Sequence, residues 1–552
     1  MDQLRAKHPR VQPARAALLP LGPPARTDVP DIAAADVVAA VRSFRRGSAA
    51  GPSGLRGDHL REALGSAHGD EVAAHLAEVV QLLVRGDAPL EIAPHMAGAA
   101  LHALPKPGGD VRPIAVGETL RRLASKCLCQ AVREPAQRWL SPLQLGVAVS
   151  LGAEAAVHTA RNWFHRNSGH ANKAFLTIDF ENAFNSVDRA AMLREVRLRL
   201  PGLAPYAEWC YGHHSRLLFD GEPLTSEAGV QQGDPLGPLL FSLAVQPALR
   251  AVRSGPWDQQ PELAFAYLDD VCLAGSLPQL RTALARLTAA ARQVGLALNP
   301  AKCKLITTSH DGLVDPHSFP AGLTIDRSGA FTLLGAAIGG HAFCTAHTQS
   351  QRVDASKPLL EALGHLDDPQ TGLLLLRECA SFCKVACSAR VTPPALHTAA
   401  LSAFDAEVRT CLEALCTGPL PGQAWAQASL STSAGGLGLR LASRHASAGF
   451  LASTTATEEL CKELDPHYML SVNEVVDAFN RDVLPGDRIP SPVPNSLSQQ
   501  KLSRALDAAA VAELSAPRPG QEATRAHLQL FAAAWGRGLV TRPACRQPRL
   551  AC

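Results

Sequence analysis

The stretch "FAYLDDVCLAG", residues 265–275, places two adjacent carboxylates, Asp269 and Asp270, inside an apolar run. Burial of one unpaired carboxylate is costly, and two neighbouring carboxylates also repel each other. A strand–turn–strand interpretation lowers this cost, because Phe265–Tyr267 and Val271–Ala274 form two strands and the acids lie at the turn. Positive charge is still required there, and a divalent cation held with a third carboxylate would supply it.

The composition limits the class of protein without naming its function. The 552 residues are enough for two to four domains, and 46% hydrophobic with 19% charged residues is ordinary for a globular protein. A net charge of +3 does not by itself indicate a nucleic-acid-binding protein, so any basic surface must be local. The N-terminus lacks a secretory apolar core, and no apolar run of about 18 residues occurs. The chain is therefore predicted to be intracellular, with nucleus and cytoplasm both open, and to have no membrane partner.

The 14 cysteines are scattered and are expected to be free thiols in a reducing compartment. Cys379, Cys383 and Cys387 recur every four residues and would share one face of a helix. A zinc site is one interpretation. A buried helical stripe is favoured, because no paired CxxC and no nearby His spacing accompanies these residues.

A third carboxylate, Asp179, ends the apolar strand "FLTID", where side-chain alternation would direct it to a sheet edge. A strand-end Asp followed by an Asp-Asp hairpin is the layout of a two-metal site. In such a site two divalent ions stabilise the attacking and leaving oxygens of a phosphoryl displacement. Any one of these acids alone is more often a turn residue or a helix cap, so the order of further motifs matters.

Six segments appear in the order that is typical of reverse transcriptases. The sequence resembles this family, most closely the enzymes of non-LTR (LINE-like) retrotransposons. "LPKPGGDVRPIAV" (104–116), a predicted hairpin with a Pro-Gly-Gly turn, resembles the entry to the fingers, and "LTIDFENAFNSVD" (176–188), "GVQQGDPLGPLLFSL" (229–243) and "FAYLDD" (265–270) resemble the three catalytic motifs. "GLALNPAKCKLI" (295–306) and "LLGAAIG" (333–339) resemble the fourth motif and the primer grip. Six motifs in the same order make a chance resemblance very improbable.

The resemblance implies an α+β right-hand polymerase, with fingers, a palm built on an antiparallel sheet, a helical thumb and a helical C-terminal extension. The expected division is a basic disordered leader (1–30), an N-terminal extension of the fingers (31–100), reverse transcriptase fingers and palm (101–340), a helical thumb (341–460) and a C-terminal extension with a linker, complete or truncated (461–552). For the leader, an organelle-targeting segment and a nucleic-acid-touching arm are the alternatives to disorder.

The activity implied is RNA-directed DNA polymerisation, a nucleotidyltransferase reaction that adds dNTPs to a primer 3′-end. By resemblance, Asp179 and Asp269 would bind two Mg²⁺ ions, with Mn²⁺ as a substitute, Asp270 would assist, and the backbone of Phe180 would also touch a metal. Mg²⁺ suits such a site because it takes few protein carboxylates and completes its shell with water and substrate phosphates. The expected partners are an RNA template, a DNA primer and dNTPs.

Nucleotide-binding residues follow from the same resemblance. Phe184 stands five residues past Asp179, where the family places an aromatic ring beneath the sugar; a ring there excludes a 2′-hydroxyl, although core packing is the alternative. Proposed triphosphate ligands are Lys106 and Arg112, which as isolated residues would more often be solvated charges. The remaining candidates are Gln232 and Gly233 against the nucleotide and templating base, with closure of a turn by Gln231 and Gln232 as the alternative. Lys302 would protonate or screen the departing pyrophosphate, and a simple exposed charge is the alternative. The predicted nucleic-acid contacts are Arg45, Arg46, Arg56, Leu334 and Gly335.

Two departures from the family pattern leave alternatives open. The family more often has Ala where this chain has Leu268, a change that could alter packing under the primer terminus. No endonuclease or Cys/His knuckle is evident, so endonuclease activity is expected to be supplied elsewhere or lost, and the chain to be a fragment of an element or a retired copy. A catalytically retired nucleic-acid-binding relic is therefore the alternative function. An RNA-copying RNA polymerase is disfavoured by Phe184 and by Tyr267 before the Asp pair.

Overall fold

The computed structural model describes residues 1–11, 22–106, 108–309 and 314–516. It divides into two compact units, and the first comprises Met1–Ser150 with Gly169–Arg327. The second contains Leu151–Ser168 and the described residues from Ser328 onward. None of the described helices has both the length and the apolar character needed to cross a membrane.

Strands of the first unit form two sheets. Their bounds are β1 (Ala99–Pro105), β2 (Val111–Gly117), β3 (Lys173–Ile178), β4 (Ser215–Phe219), β5 (Glu222–Ser226), β6 (Leu263–Tyr267), β7 (Asp270–Ser276), β8 (Lys304–Thr307) and β9 (Thr324–Asp326). The five-stranded sheet has the order β6-β7-β3-β8-β9, antiparallel except for the β8–β9 pair. The four-stranded sheet has the order β2-β1-β4-β5.

The five-stranded sheet is packed against helices because its strands are apolar along their length. Leu176, Ile178, Val271 and Leu273 lie in one large core together with the buried helix Gly237–Val252. Such strands bury both faces, as sheets covered by helices do. The α-helices of this unit are Asp2–Lys7, Ala34–Arg42, Gly57–Leu64, Gly69–Val84, Ala93–Met96, Thr119–Ala131, Arg133–Leu140, Ala183–Ser186, Arg189–Arg199, Ala204–Tyr211, Gly237–Val252 and Leu277–Gln293.

The predicted hairpin at the start of the six-motif region is confirmed. β1 and β2 pair antiparallel from Ala99 opposite Gly117 to Pro105 opposite Val111, and the helix Thr119–Ala131 follows. The turn is closed by the Lys106 N–H, which donates to the Asp110 carbonyl oxygen at 2.8 Å.

The N-terminal residues differ from the predicted disordered leader. Asp2–Lys7 form a helix, and Leu4 is buried against the four-stranded sheet beside Leu101 and Leu217. Lys7 Nζ also lies 2.9 Å from Asp110 Oδ2. The prediction of disorder is therefore wrong for residues 2–7, because tertiary burial of one leucine stabilises a turn of helix that composition does not reveal. Residues 12–21 lie outside the described residues.

Helices make up most of the second unit. They are Gly152–Arg166, His341–Thr348, Ala355–Gly364, Pro369–Leu375, Ala386–Val391, Thr398–Leu415, Gly422–Ala428, Ala442–Leu464, Asn473–Asp482 and Gln499–Ser515, and one hairpin is formed by β10 (Phe331–Leu333) and β11 (Ala336–Ile338). Two apolar cores are described, one around Leu360, Phe404 and Leu412 and one around Phe450, Phe479 and Leu506. The boundaries of fingers, palm and thumb stay a prediction.

The predicted buried cysteine stripe is wrong. Cys379, Cys383 and Cys387 are exposed. The expected continuous helix is interrupted at Ser381, whose φ of −97° and ψ of −131° are not helical. Leu376 and Ala380 face the core instead, so the apolar face lies on the other side of the segment. A four-residue spacing predicts that residues of a continuous helix share a face, but it does not predict whether that face is buried.

Candidate active site

The acidic hairpin forms as the sequence predicts. β6 and β7 pair antiparallel up to Tyr267 opposite Asp270, and Leu268 and Asp269 make the turn. β7 also pairs with β3, with Val271 opposite Ile178. Asp179 is the next residue after β3, so this register brings it alongside Asp270. Direct pairing of β3 with β7 therefore brings Asp179 next to the acidic hairpin, as the sequence predicted.

A second backbone segment fixes Asp179 from its other side. The Asn299 N–H donates to the Asp179 carbonyl oxygen, and the Glu181 N–H donates to the Ala297 carbonyl oxygen, both at 2.9 Å. Phe180 pairs with Leu298 between these two bonds. Neither bond uses the carbonyl of Phe180, which was the backbone group predicted to touch a metal.

The side chain of Asp179 keeps an oxygen free of hydrogen bonds. Its Oδ1 atom is buried and accepts no hydrogen bond, and Lys302 Nζ is 3.7 Å from it. A buried carboxylate oxygen without a donor is unfavourable unless a cation compensates for it. Lys302 is more than half exposed and supplies part of that compensation.

The pKa values of Asp269 and Asp270 are both raised. Desolvation raises the pKa of Asp269, the charge of Asp179 raises it further, and Arg112 and Lys302 act in the opposite direction. Partial desolvation, followed by the charges of Asp269 and Asp179, raises the pKa of Asp270 to about 6. Negative charge is thus in excess at this junction of strands, as expected of a site that takes up positive ions.

The donors fit a divalent cation that substrate would help to bind. Carboxylate oxygens, one of them unpartnered and buried, are the ligands that Mg²⁺ prefers. Within residues 1–11, 22–106, 108–309 and 314–516, no three His, Cys, Asp or Glu side chains form a ready-made metal cage. Mg²⁺ does not need one, because it is usually held by one or two carboxylates together with waters and substrate phosphates.

The two predicted triphosphate ligands occupy different parts of the β1–β2 hairpin. Arg112 is exposed on β2 opposite Leu104, and it is close enough to lower the pKa of Asp269. Lys106 lies at the turn, where its charge acts on Asp110. Arg112 therefore acts on the acids, and the contact predicted for Lys106, two residues beyond the partner of Arg112, stays a prediction.

Gln232 and Gly233 contact β2. The Ala115 N–H donates to the Gln232 carbonyl oxygen at 2.7 Å. Gly233 has a φ of +134°, and a Cβ atom there would collide with the Ala115 carbonyl oxygen. The close approach that requires glycine is therefore to the protein's own β2, and the predicted contact with a nucleotide stays a prediction.

Phe184 is partly exposed, and one face of its ring is covered. The ring stacks on Phe241 with centroids 4.5 Å apart and planes at 12°. Its backbone carbonyl accepts a hydrogen bond from the Val230 N–H at 2.7 Å. Core packing thus accounts for one face of the ring, and the predicted contact with a sugar stays a prediction for the rest.

Comparison with known proteins agrees with this geometry. Residues 104–338 match the family model described as reverse transcriptase (RNA-dependent DNA polymerase). Residues 104–338 are a reverse transcriptase domain, similar to those of non-LTR retrotransposons. The predicted family and the predicted α+β right-hand polymerase class are confirmed, and reverse transcriptases as a family use divalent metal ions.

Several relatives show how far the similarity extends. The chain is 30% identical over 248 residues to the retrotransposable element SLACS 132 kDa protein of Trypanosoma brucei gambiense, covering 43% of this chain and 20% of that protein. It is 30% identical over 145 residues to a Pol polyprotein from the type-1 retrotransposable element R2 of Nasonia vitripennis, covering 24% of this chain and 14% of that protein. It is 33% identical over 144 residues to the R2 Pol polyprotein of Bradysia coprophila, covering 24% of this chain and 17% of that protein. The chain thus spans 20% or less of these relatives' length. A truncated apo telomerase from Candida tropicalis matches with a TM-score of 0.33 at 12% identity, over 45% of this chain and 54% of that one.

A buried ion pair supports the second catalytic motif of the reverse transcriptase domain, and the sequence analysis missed it. Arg121 Nη2 donates to Asp234 Oδ2 at 2.9 Å, and Arg121 Nη1 donates to Gln231 Oε1 at 2.6 Å. Burial alone would lower the pKa of Arg121, but the charge of Asp234 raises it well above its usual range. The available signal was the position of Arg121 on the apolar face of its helix, one turn from Ser125 and two from Leu128.

Asp234 has further donors around it. Tyr211 Oη donates to Oδ2 at 2.7 Å, and Ser125 Oγ donates to Oδ1 at 2.9 Å. The Leu236 N–H donates to Oδ1 at 3.0 Å. This network fixes the loop that carries Gln232 and Gly233, and Gln231 is a structural member of it.

The three predicted nucleic-acid-binding arginines that precede the reverse transcriptase domain are exposed. Arg45, Arg46 and Arg56 flank the loop at residues 47–55. That loop is held by the Ser53 N–H and hydroxyl, which donate to the Glu118 carboxylate at 2.8 and 2.5 Å. The arginines are therefore presented to solvent from an anchored loop.

Leu334 and Gly335 belong to the second unit. They form the two-residue turn between β10 and β11, with φ of 48° and 78°. Asn-Gly-like positive φ at both positions is the geometry of a tight hairpin turn. Their predicted contact with nucleic acid stays a prediction.

Proposed function

We propose that this chain is an RNA-directed DNA polymerase, which extends the 3′-end of a DNA primer with dNTPs on an RNA template. The observation that carries the proposal is the meeting of Asp179, Asp269 and Asp270 at adjoining strand ends inside a reverse transcriptase domain. Desolvation, followed by the charges of Asp269 and Asp179, raises the pKa of Asp270, and grouped carboxylates of this kind are what a cation-dependent phosphoryl transfer requires.

Asp179 and Asp269 would hold two Mg²⁺ ions, or Mn²⁺ in their place, with Asp270 and the Phe180 carbonyl assisting. Bound ions would supply activation of the primer 3′-hydroxyl and neutralisation of charge on the reacting phosphate. The unpartnered Oδ1 of Asp179 is an available ligand atom. Strand pairing on both sides of Asp179 holds its backbone rigid, which favours a fixed distance between reacting groups.

Basic residues would orient the triphosphate. Arg112 lies within electrostatic range of Asp269, and its planar guanidinium suits bidentate contact with phosphate. Lys302 stands beside Asp179, where it would screen or protonate the departing pyrophosphate. Lys106, at the hairpin turn close in register to Arg112, would add a second positive charge for the phosphates.

Nucleotide selection would rest on Phe184, with Gln232 and Gly233 against the nucleotide and templating base. The Phe184 ring is backed by Phe241, so it cannot retreat to admit a 2′-hydroxyl. Exposed Arg45, Arg46 and Arg56 would contact template phosphates. Leu334 and Gly335 would contact the primer, and residues 341–460 would serve as the thumb.

The test is extension of a DNA primer on an RNA template with Mg²⁺ and either dNTPs or rNTPs. We expect extension with dNTPs, and its loss in Asp269→Asn with duplex binding retained. Asp258→Asn, which changes an exposed acid outside the site, is the matched control and should extend normally. Extension with rNTPs alone would indicate an RNA polymerase, and salt-sensitive duplex binding without extension would indicate a retired relic.

A further inference from the structure

A buried glutamine, Gln144, holds the turn that carries Asp269. The Leu268 N–H donates to Gln144 Oε1 at 2.7 Å, and Gln144 Nε2 donates to the Leu268 carbonyl oxygen at 3.0 Å. The Gly146 N–H also donates to Gln144 Oε1, at 3.0 Å. Gln144 is fully buried, and both acceptor positions of its amide oxygen are used.

The backbone around Gln144 places this amide at the end of a strand ladder. β6 is an edge strand of its sheet, and residues 143–145 run along that edge. The Ala266 N–H donates to the Leu143 carbonyl oxygen at 2.6 Å, and the Leu145 N–H donates to the Ala266 carbonyl oxygen at 2.8 Å. Beyond Ala266, the side-chain amide of Gln144 replaces a backbone peptide as the hydrogen-bond partner of Leu268. The strand-like hydrogen bonding thus extends into the turn.

The turn needs such support, because Leu268 has an unfavourable backbone conformation. Its φ is +58°, in the left-handed region that residues with a side chain rarely adopt. Conformations of this kind persist where the surroundings fix them. Gly146 closes over the same residue: a Cβ atom there would lie 2.7 Å from the Leu268 nitrogen and 2.8 Å from its Cγ.

We propose that Gln144 is a positioning residue for polymerisation. Its bond to the Leu268 carbonyl oxygen fixes the peptide that joins Leu268 to Asp269, and thereby fixes the direction of the Asp269 carboxylate. The inference rests on the proposed function, because that function makes Asp269 a cation ligand. Gln144 itself touches neither substrate nor cation in this assignment.

Two substitutions at Gln144 and one control test the proposal. Gln144→Met keeps the length of the side chain and removes its three hydrogen bonds, and Gln144→Asn keeps the amide but shortens its reach. Gln246→Met is the control, because Gln246 is equally buried and its Nε2 donates to the Trp139 and Leu140 carbonyl oxygens at 3.0 Å. Thermal melting of the full chain shows how much stability each substitution removes.

We expect Gln144→Met to lower kcat for primer extension about 100-fold while KM for dNTP changes less than about threefold. Gln246→Met should keep kcat within about threefold of wild type even where its melting temperature falls equally. A second readout needs no turnover: Mn²⁺ binding, followed by electron paramagnetic resonance, should weaken in Gln144→Met and stay unchanged in Gln246→Met.

Wild-type kcat together with wild-type Mn²⁺ affinity in folded Gln144→Met would overturn the proposal. If that variant does not fold, Gln144→Asn decides, and full kcat in that variant would overturn the proposal in the same way. A wild-type chain that extends no primer removes the polymerase assignment instead. In that case weaker Mn²⁺ binding in the Gln144 variants still supports the positioning of Asp269, and unchanged binding still contradicts it.

Discussion

Replacement of Arg121 by Met should destabilise the first unit far more than loss of a surface ion pair. Both members of the Arg121–Asp234 pair are buried, with 1% and 2% of their side chains exposed. Met fills much of the same volume, but it leaves the Asp234 carboxylate without its cation. Removal of one partner of a buried pair costs about 3–5 kcal/mol.

The remaining donors place the expected cost at the lower end of that range. Asp234 keeps its bonds from Tyr211, Ser125 and the Leu236 N–H. Arg121 Nη1 also donates to the Ala97 carbonyl oxygen at 2.7 Å, and that oxygen keeps a bond from Gln231 Nε2 at 2.8 Å when Arg121 is replaced. We expect a loss of about 3 kcal/mol, which for a unit of this size would lower the melting temperature by roughly 5 °C.

The assay is thermal and urea unfolding of the full chain, with hydrogen exchange in the helix Thr119–Ala131 to assign the loss to this region. Arg26→Met is the control, because the Arg26–Asp87 pair is largely exposed and its loss should cost less than about 1 kcal/mol. The double variant Arg121→Met with Asp234→Asn removes both charges and should be more stable than the sum of the single effects by about 1–3 kcal/mol. Equal losses in Arg121→Met and Arg26→Met, or strict additivity in the double variant, would refute the reasoning.

Three further predictions concern selectivity, pH and nucleic-acid affinity. Phe184→Val should raise rNTP use relative to dNTP use about 10-fold or more in single-nucleotide incorporation, because a smaller side chain leaves room for a 2′-hydroxyl. Burial, with the charges of Arg161 and Arg390, lowers the pKa of His158 to about 3, so only the unfolded chain takes up its proton as pH falls below about 6.5. Stability should therefore fall by about 2 kcal/mol more between pH 7 and pH 5 in wild type than in His158→Gln, measured by hydrogen exchange in Gly152–Arg166. Substitution of Arg45, Arg46 and Arg56 by Ala should flatten the salt dependence of duplex binding by about 0.9 per lost phosphate contact.

A specific result would contradict each of the predictions for Phe184, His158 and the three arginines. An unchanged rNTP to dNTP ratio with a lower melting temperature would make Phe184 a packing residue alone. Identical pH dependence in wild type and His158→Gln would show that His158 takes up its proton in the folded state. An unchanged salt slope in the triple variant, with Arg26→Ala as the reference, would remove the three arginines from the nucleic-acid interface.

Local patterns in the sequence determined the strands and turns of the site. The apolar runs on either side of Leu268 and Asp269 predicted β6 and β7, because strand length and turn chemistry are properties of neighbouring residues. The same holds for the hairpin at residues 99–117. The order of the motifs, also a property of the chain alone, predicted the reverse transcriptase domain.

Tertiary structure decided which residues support that site. Gln144 and Leu268 are 124 positions apart in sequence, and Arg121 and Asp234 are 113 positions apart. The periodicity of a single helix or strand therefore cannot predict either contact. Burial of Leu4, exposure of Cys379 and the contact that makes Gly233 necessary likewise depend on partners distant in sequence. A hydrophobic pattern specifies which face of an element is apolar, whereas the partner of a buried polar group is fixed only when separate elements pack together.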